Sequence, residues 1–385
     1  MGFLPEEGVI DDSFAPPPYK GLLDDIEETN PERVLEIDGD YIKFASAAAG
    51  ESRDILVSHV DDDEFEPLEF KSRTAFWGRA KAIGGYLEGV NNGRYAKGLD
   101  PYTREDFKIE DRQHPEPIEN VLHTVKMMLR GVLKDMGTHS YNLYIGKGDS
   151  QRIAQSTMIP YKGQREGTVK PIHLGAVHDY MVSHLGAMEV KGDNAPEGNY
   201  VNSIPMEVDD WVIICAYNKP NHIVVHIDKD ARAQPVMAYN PDKGQEGIID
   251  CTGFGRLWRD SKGKVRGYGM KFLLWQTCSG DSTDNYKANS LSAKKWGDVA
   301  AYKELEGCVD HKELFTAAMG VFKKLYPEPI ESTTWQGNTF TLDWKYAFTE
   351  LFNMARMLRW EGDEVDVIEV LDKLEIEYER KCNRD

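Results

Sequence analysis

Three apolar runs in this chain end at or shortly before an aspartate: VLEID at 34–38, YNLYI at 141–145 with Asp149 following, and IVVHID at 223–228. Short runs rich in branched and aromatic side chains read as buried strands. Helical patterns lie between them. Residues 118–136 place Ile118, Val121, Leu122, Val125, Met128, Leu129, Val132, Leu133 and Met136 at spacings of three and four. That spacing predicts an amphipathic helix, entered after Pro115 and Pro117 and closed by Gly137. Residues 174–185 repeat it with Leu174, Val177, Met181 and Leu185, and Gly186 follows. WVIICAY at 211–217 has strand composition, but it follows directly on EVDD, and an acidic start favours a helix. Strands alternating with helices predict an α/β fold, with a mostly parallel central sheet flanked by helices. In such sheets ligands bind outside the carboxyl ends of the strands.

The rhythm breaks at residues 50–116, which hold the acidic run DDDEFE, the segment NNGRYAKG and several Gly and Pro. An insertion in the core is expected there. RLWRDSKGKVRGYGMK at 256–271 alternates and turns at SKGK, which predicts a β-hairpin. From 291 onward the pattern is mainly helical, through MARMLRW at 354–360. The expected organisation is an acidic, flexible leader at 1–30, an α/β core at 31–290 carrying the insertion, and a C-terminal helical region at 291–385.

The formal net charge of −19 argues against a nucleic-acid partner until its distribution is considered. Residues 1–70 hold 20 acidic and 4 basic side chains, so the other 315 residues carry only −3. The acidic start reads as a solvated segment, with docking of a replication protein partner as the functional alternative. PPPY at 16–19 has the look of a polyproline ligand. No apolar run reaches the length of a membrane span, and MGFLPEEGVIDDSF lacks the features of a signal peptide. The five cysteines form no C-x-x-C pair. A cytoplasmic protein is expected.

Asp38, Asp149 and Asp228 would reach one sheet edge from three strands. MEVDDW adds Glu207, Asp209 and Asp210, IDKD adds Asp230, and GDSTDN adds Asp281 and Asp284. Each motif alone is an ordinary turn or helix start. Gathered carboxylates repel and raise one another's pKa, so a set this large implies cations. Oxygen ligands suit Mg²⁺ or Mn²⁺, and the number of acids suits two ions acting on a phosphodiester. IPYKGQR puts Lys162 and Arg165 three apart, where they could hold the scissile phosphate. The hairpin at 256–271 holds Arg256, Arg259, Lys262, Lys264, Arg266 and Lys271 against Asp260, which makes Lys262 and Lys264 candidate phosphate contacts. His222 and His226 are expected to be packing or edge residues.

In this order the motifs resemble the 5′-to-3′ exonuclease and flap endonuclease family, a PIN-like nuclease fold, and most closely its bacteriophage-encoded members. VLEIDGDYIKFASAA is similar to the opening Asp motif, GKGDSQR to the Asp–Arg segment, YKGQR to Y-K-x-x-R, and MEVDD to E-A-D-D with Val208 for Ala. IDKD and GDSTDN are similar to the remaining acidic motifs, and the resemblance runs from about residue 34 to 300 apart from the insertion. It implies metal ligation by Asp38, Asp149, Glu207, Asp209, Asp210, Asp228, Asp230, Asp281 and Asp284, with Asp40 beside them. It implies catalysis by Lys162 and Arg165, and DNA contact by Arg152. The family's Gly-rich helix–three-turn–helix, often with bound K⁺, is replaced here by YKANSLSAKKWG. Lys287, Lys294 and Lys295 are the candidate phosphate contacts in that segment. The implied function is a metal-dependent 5′-to-3′ exonuclease of phage DNA replication or recombination. A 5′ flap endonuclease, a remover of RNA primers from RNA–DNA hybrids, and a DNA-binding module without activity are the alternatives.

Overall fold

The computed structural model describes residues 21–61, 66–79, 84–165 and 167–378. Two compact units are present: Met1–Ile42, Met127–Val169 and His178–Asp385 form one, Lys43–Lys126 and Lys170–Val177 the other. In chain order the elements begin β1 (Val34–Asp38), α1 (Asp40–Ala49), β2 (Glu51–His59), β3 (Leu68–Phe70), α2 (Arg73–Trp77), α3 (Tyr86–Ala96), β4 (Phe107–Pro115) and α4 (Ile118–Met136). They continue with β5 (Tyr141–Lys147), α5 (Gln151–Gln155), α6 (Leu174–Leu185), β6 (Met188–Lys191), α7 (Val208–Ala216), β7 (His222–Val225), β8 (Met237–Tyr239) and β9 (Ile249–Asp250). Next come β10 (Arg256–Arg259), β11 (Val265–Tyr268), α8 (Gly269–Ser279), β12 (Gly280–Asp281), β13 (Tyr286–Lys287), α9 (Asp298–Leu305) and α10 (His311–Leu325). The hairpin β14 (Ile330–Thr333) and β15 (Thr339–Leu342) precedes α11 (Trp344–Ala355) and α12 (Val367–Lys373).

The central sheet of the larger unit runs β6-β5-β1-β7-β8-β9. Its pairs are parallel except β8 with β9. The expected α/β class with a mostly parallel sheet flanked by helices is therefore present. Both predicted helices, at 118–136 and 174–185, have the expected bounds. The ambiguous run at 211–217 lies largely in α7, where a reciprocal cap between Glu207 and Asp210 outweighs the branched residues. Tyr144, Val190, Val208, Val212, Ile213 and Val224 form the core between α7 and the sheet.

Three expectations change. The apolar run at 223–228 leaves the sheet after Val225, because the Asp228 N–H turns back onto His226 Nδ1, 2.8 Å away. The predicted hairpin ends at Tyr268, and residues 269–271 already belong to α8. The end of the expected flexible leader is packed, with Leu22 and Ile26 buried and Arg130 donating to the carbonyls of Gly21 and Leu22. Residues 1–20, with PPPY and the proposed docking segment, lie outside the described residues.

In the smaller unit, β2 pairs antiparallel with β3 and β4. Ile55, Val57, Phe76, Leu87 and Phe107 fill a core of their own. The C-terminal helices gather around α8: Phe272, Leu274, Trp275 and Cys278 share a core with Leu314, Phe322, Phe348 and Phe352. No helix among the described residues is long and apolar enough to cross a membrane.

Candidate functional site

From β1 the chain passes to β5 and β6 on one side of the sheet and later to β7 and β8 on the other. Such a reversal of direction opens a crevice at the carboxyl ends of the strands. Asp38 ends β1 and His226 directly follows β7. Gly39 permits the exit from β1, since a Cβ there would lie 2.6 Å from the Tyr144 carbonyl oxygen. Asp38 Oδ1 accepts from the Asp40 N–H, 2.9 Å away.

The first turn of α7 presents Asp209 to the same crevice. His226 Nε2 lies 2.9 Å from Asp209 Oδ1 and 3.1 Å from Asp38 Oδ2. These three residues offer ligand atoms all within 4.8 Å of one another. Burial opposes charge on the imidazole, while Asp209 and Asp38 push its pKa well above the usual value. Against that pull, the Asp228 N–H points at Nδ1, 2.8 Å away, while Nε2 carries the hydrogen that faces the carboxylates. The ring is then a donor shared by two carboxylates. The remaining lone pairs belong to oxygens, a set that fits Mg²⁺ or Mn²⁺, with His226 orienting the ligands.

A second group surrounds Lys229. Its ammonium bonds Asp230, 2.9 Å away, and also Asp281. Gln276 Nε2 donates to the same Asp230 oxygen, and Asp228 Oδ1 accepts from the Asp230 N–H at 3.2 Å. Burial and then Asp228 raise the Asp230 carboxyl to about 6. Burial also acts on Asp281, but Lys229 outweighs it and holds that carboxyl below its ordinary value. Gly280 makes this approach possible with φ 87°, where a Cβ would meet Lys287 Cα at 2.4 Å.

The third group joins Lys162, Arg165, Glu207 and Asp284. Lys162 Nζ lies 2.6 Å from Glu207 Oε1, and Arg165 Nη2 lies 3.1 Å from Asp284 Oδ1. The Tyr161 hydroxyl lies within hydrogen-bond reach of both acids, at 3.3 and 3.2 Å. Lys162 sits at φ 54°, a rare conformation for a residue with a side chain. Its N–H to the Asp284 carbonyl, 3.0 Å away, fixes it there. Burial works against the Lys162 charge, but Glu207, Asp284 and Asp209 raise its pKa. Burial likewise opposes charge on Glu207, yet Lys162 and Arg152 hold its carboxyl at about 2. Asp281 acts electrostatically on both Asp230 and Asp284, and Asp209 acts on Lys162. The three groups thus share one field.

Asp210 and Arg152 lie behind this front. Asp210 is fully buried and receives Arg152 Nη2 at 2.6 Å, Gln151 Nε2 at 2.8 Å and the Leu358 N–H at 2.9 Å. Arg152 also bonds Glu207 and the Arg356 carbonyl. Both side chains are committed to anchoring α7, which removes Arg152 from the expected DNA contacts and Asp210 from the expected ligands.

Asp149 is exposed and pairs with the Asp193 backbone, and its carboxylate accepts from Asn194. No contact with the acid groups is seen for it among the described residues. Lys262 and Lys264 are exposed near the β10–β11 turn, Lys287 is exposed on β13, and Lys295 is exposed beyond it. Lys294 instead bonds the Lys324 carbonyl. Sequence reasoning missed His226, Lys229, Tyr161 and Gln276. For His226 and Lys229 a signal existed, since both stand among the acids of HIDKD, and Tyr161 opens YKGQR; for Gln276 none did. Compared with known protein families, characterised proteins and solved structures, the chain matches none.

Proposed function

We propose that this protein is a divalent-metal-dependent nuclease that hydrolyses DNA phosphodiesters from 5′ ends. The observation that carries this reading is the convergence of Asp38 and Asp209 in the sheet crevice, with Lys162 and Arg165 in the same acidic field. The order of motifs, which resembles the 5′-to-3′ exonucleases, supports the polarity. Asp38 and Asp209 would hold the ion. When bound, it supplies Lewis acidity to a phosphoryl oxygen and makes water a competent nucleophile near neutral pH.

The chain's own residues do the positioning. His226 keeps the two carboxylates aimed at one point. Glu207 fixes the Lys162 ammonium, and Arg165, half-exposed, extends toward solvent. Both cations are placed to bind phosphate oxygens and offset charge that grows in the transition state. Water attacks phosphorus in line as the bond to the 3′ oxygen breaks.

Duplexes labelled at either end, one with a 5′ flap and one with a 5′ RNA segment, test the reading in Mg²⁺ and in EDTA. The expected result is Mg²⁺-dependent early release of small 5′-labelled products. Cutting at the flap junction indicates a structure-specific endonuclease, and preference for the RNA segment indicates primer removal. Loss from the 3′ end first overturns the polarity. No cleavage with any divalent ion leaves a DNA-binding module.

A further inference from the structure

The number of acids suits two ions, and the second acidic position does not fit one. Asp230 and Asp281, two of the expected ligands, are already bridged by the Lys229 ammonium. Both carboxylates are largely buried, at 14% and 6% exposure, so they offer an ion few other directions of approach. Lys229 begins a short 3₁₀ turn capped by Asp228, which fixes where its side chain starts. Mg²⁺ requires near-octahedral oxygen ligation at about 2.0–2.1 Å. An ammonium sharing the same oxygens blocks that geometry and repels the ion.

The surroundings are built for a cation all the same. Gln276 is 1% exposed and bonds Asp230 through Nε2, while its Oε1 has no partner among the described residues. Two buried carboxylates thus face a position that needs positive charge, and a buried amide is bonded to one of them. The chain fills it with a side chain of its own.

We infer that Lys229 is a built-in second cation: its ammonium holds the position between Asp230 and Asp281, and the protein takes up one divalent ion, at Asp38 and Asp209. This rests on the crevice being an ion site, as proposed above. At the crevice Asp209 is 32% exposed, which leaves an ion a direction of approach. At Lys229 a full positive charge is already present.

Calorimetric titration of the full chain with Mn²⁺, without DNA, tests this. Wild type should bind one ion, and Lys229→Met should bind two, the second abolished by adding Asp281→Asn. Two ions on wild type overturn the inference and leave the crevice reading intact. One ion on both wild type and Lys229→Met also overturns it, since the ammonium is then not what excludes the second. No binding by wild type overturns the crevice reading, and the inference with it. Should Lys229→Met fail to fold, as judged by circular dichroism, Asp281→Asn and Asp209→Asn decide. The inference expects the first to keep the single ion within about threefold of wild-type affinity and the second to lose it. The reverse pattern overturns it.

Discussion

Two places in the acid field share an outline, a nitrogen between two carboxylates, and differ in what the nitrogen carries. Between Asp38 and Asp209 it is His226 Nε2, in a ring whose other nitrogen faces a backbone N–H. Between Asp230 and Asp281 it is the ammonium of Lys229. The first pair keeps an open side, with Asp209 32% exposed. The second is partly neutralised and its volume is filled. Identical acids therefore have different chemistry, and the intervening nitrogen decides which can serve an ion.

Asparagine substitutions on each side should break the symmetry most. Asp209→Asn should lower Mg²⁺-dependent turnover on the order of a thousandfold, the scale seen when one charge-stabilising group is removed. Asp281→Asn should cost at most about tenfold, roughly 1.4 kcal/mol of barrier. Steady-state cleavage rates on one labelled duplex measure both. Equal losses would mean that the two pairs act alike.

Next in size is the support behind both places. Arg152→Met leaves Asp210 buried without its main counter-charge, and breaking such a pair costs about 3–5 kcal/mol. Urea unfolding at neutral pH measures it. The same variant should change the acid limb of stability. Glu207 is held at about 2 in the folded chain, below about 4.3 for a free glutamate. Its contribution is complete above the unfolded value and is lost as pH falls through the folded one. Between about pH 5 and 2 the wild type should lose stability more steeply than Arg152→Met. Parallel curves would show that Arg152 does not hold Glu207 down.

His226→Phe tests the orienting role directly. Removing the donor should weaken Mn²⁺ binding at the crevice and lower turnover by about 10–100-fold, as is usual for groups that orient ligands. His226→Gln, which restores an N–H, should recover part of both. Full activity in the Phe variant would make the imidazole mere packing.

Sequence made the strands β1, β5 and β7 legible because they are apolar runs closed or soon followed by acids, and α4 because its spacing is regular over nineteen residues. The short strands β6, β8 and β9 hold four, three and two residues, too few for alternation to register. Helix α8 was invisible for the opposite reason. Nearly all of its residues are buried, so it has no polar face to mark a period. The acids of the site could be read from their motifs. What each does could not, because Asp210 and Asp209 are adjacent in sequence yet face a buried arginine and an open crevice. That difference comes from the cap that sets the phase of α7.

The hairpin β10–β11 gives the smallest expected effect and the sharpest contrast with Lys229. Leu257, Val265 and Gly267 lie on one face of it, toward the core. Arg256, Trp258, Arg266 and Tyr268 lie on the other, where Arg256 stands 4.8 Å from the Trp258 ring centre. Asp260, the one acid in the turn, is consumed internally: it accepts the N–H groups of Lys262 and Lys264 and the Arg266 side chain. The ammoniums of Lys262 and Lys264 meet no acid among the described residues, so phosphate would be their natural partner. On duplex DNA, each phosphate that a protein ceases to neutralise lowers the slope of log affinity against log salt by about 0.9. Replacing Lys262 and Lys264 with serine should therefore flatten that slope by about 1.8, with turnover at saturating DNA little changed. Lys229→Met, whose ammonium is spent on carboxylates, should leave the slope alone. Fluorescence anisotropy with a labelled duplex in Ca²⁺, over a series of KCl concentrations, measures both. An unchanged slope in the double variant would make the hairpin a solvated turn. A slope that moves with Lys229→Met instead would place that ammonium on DNA.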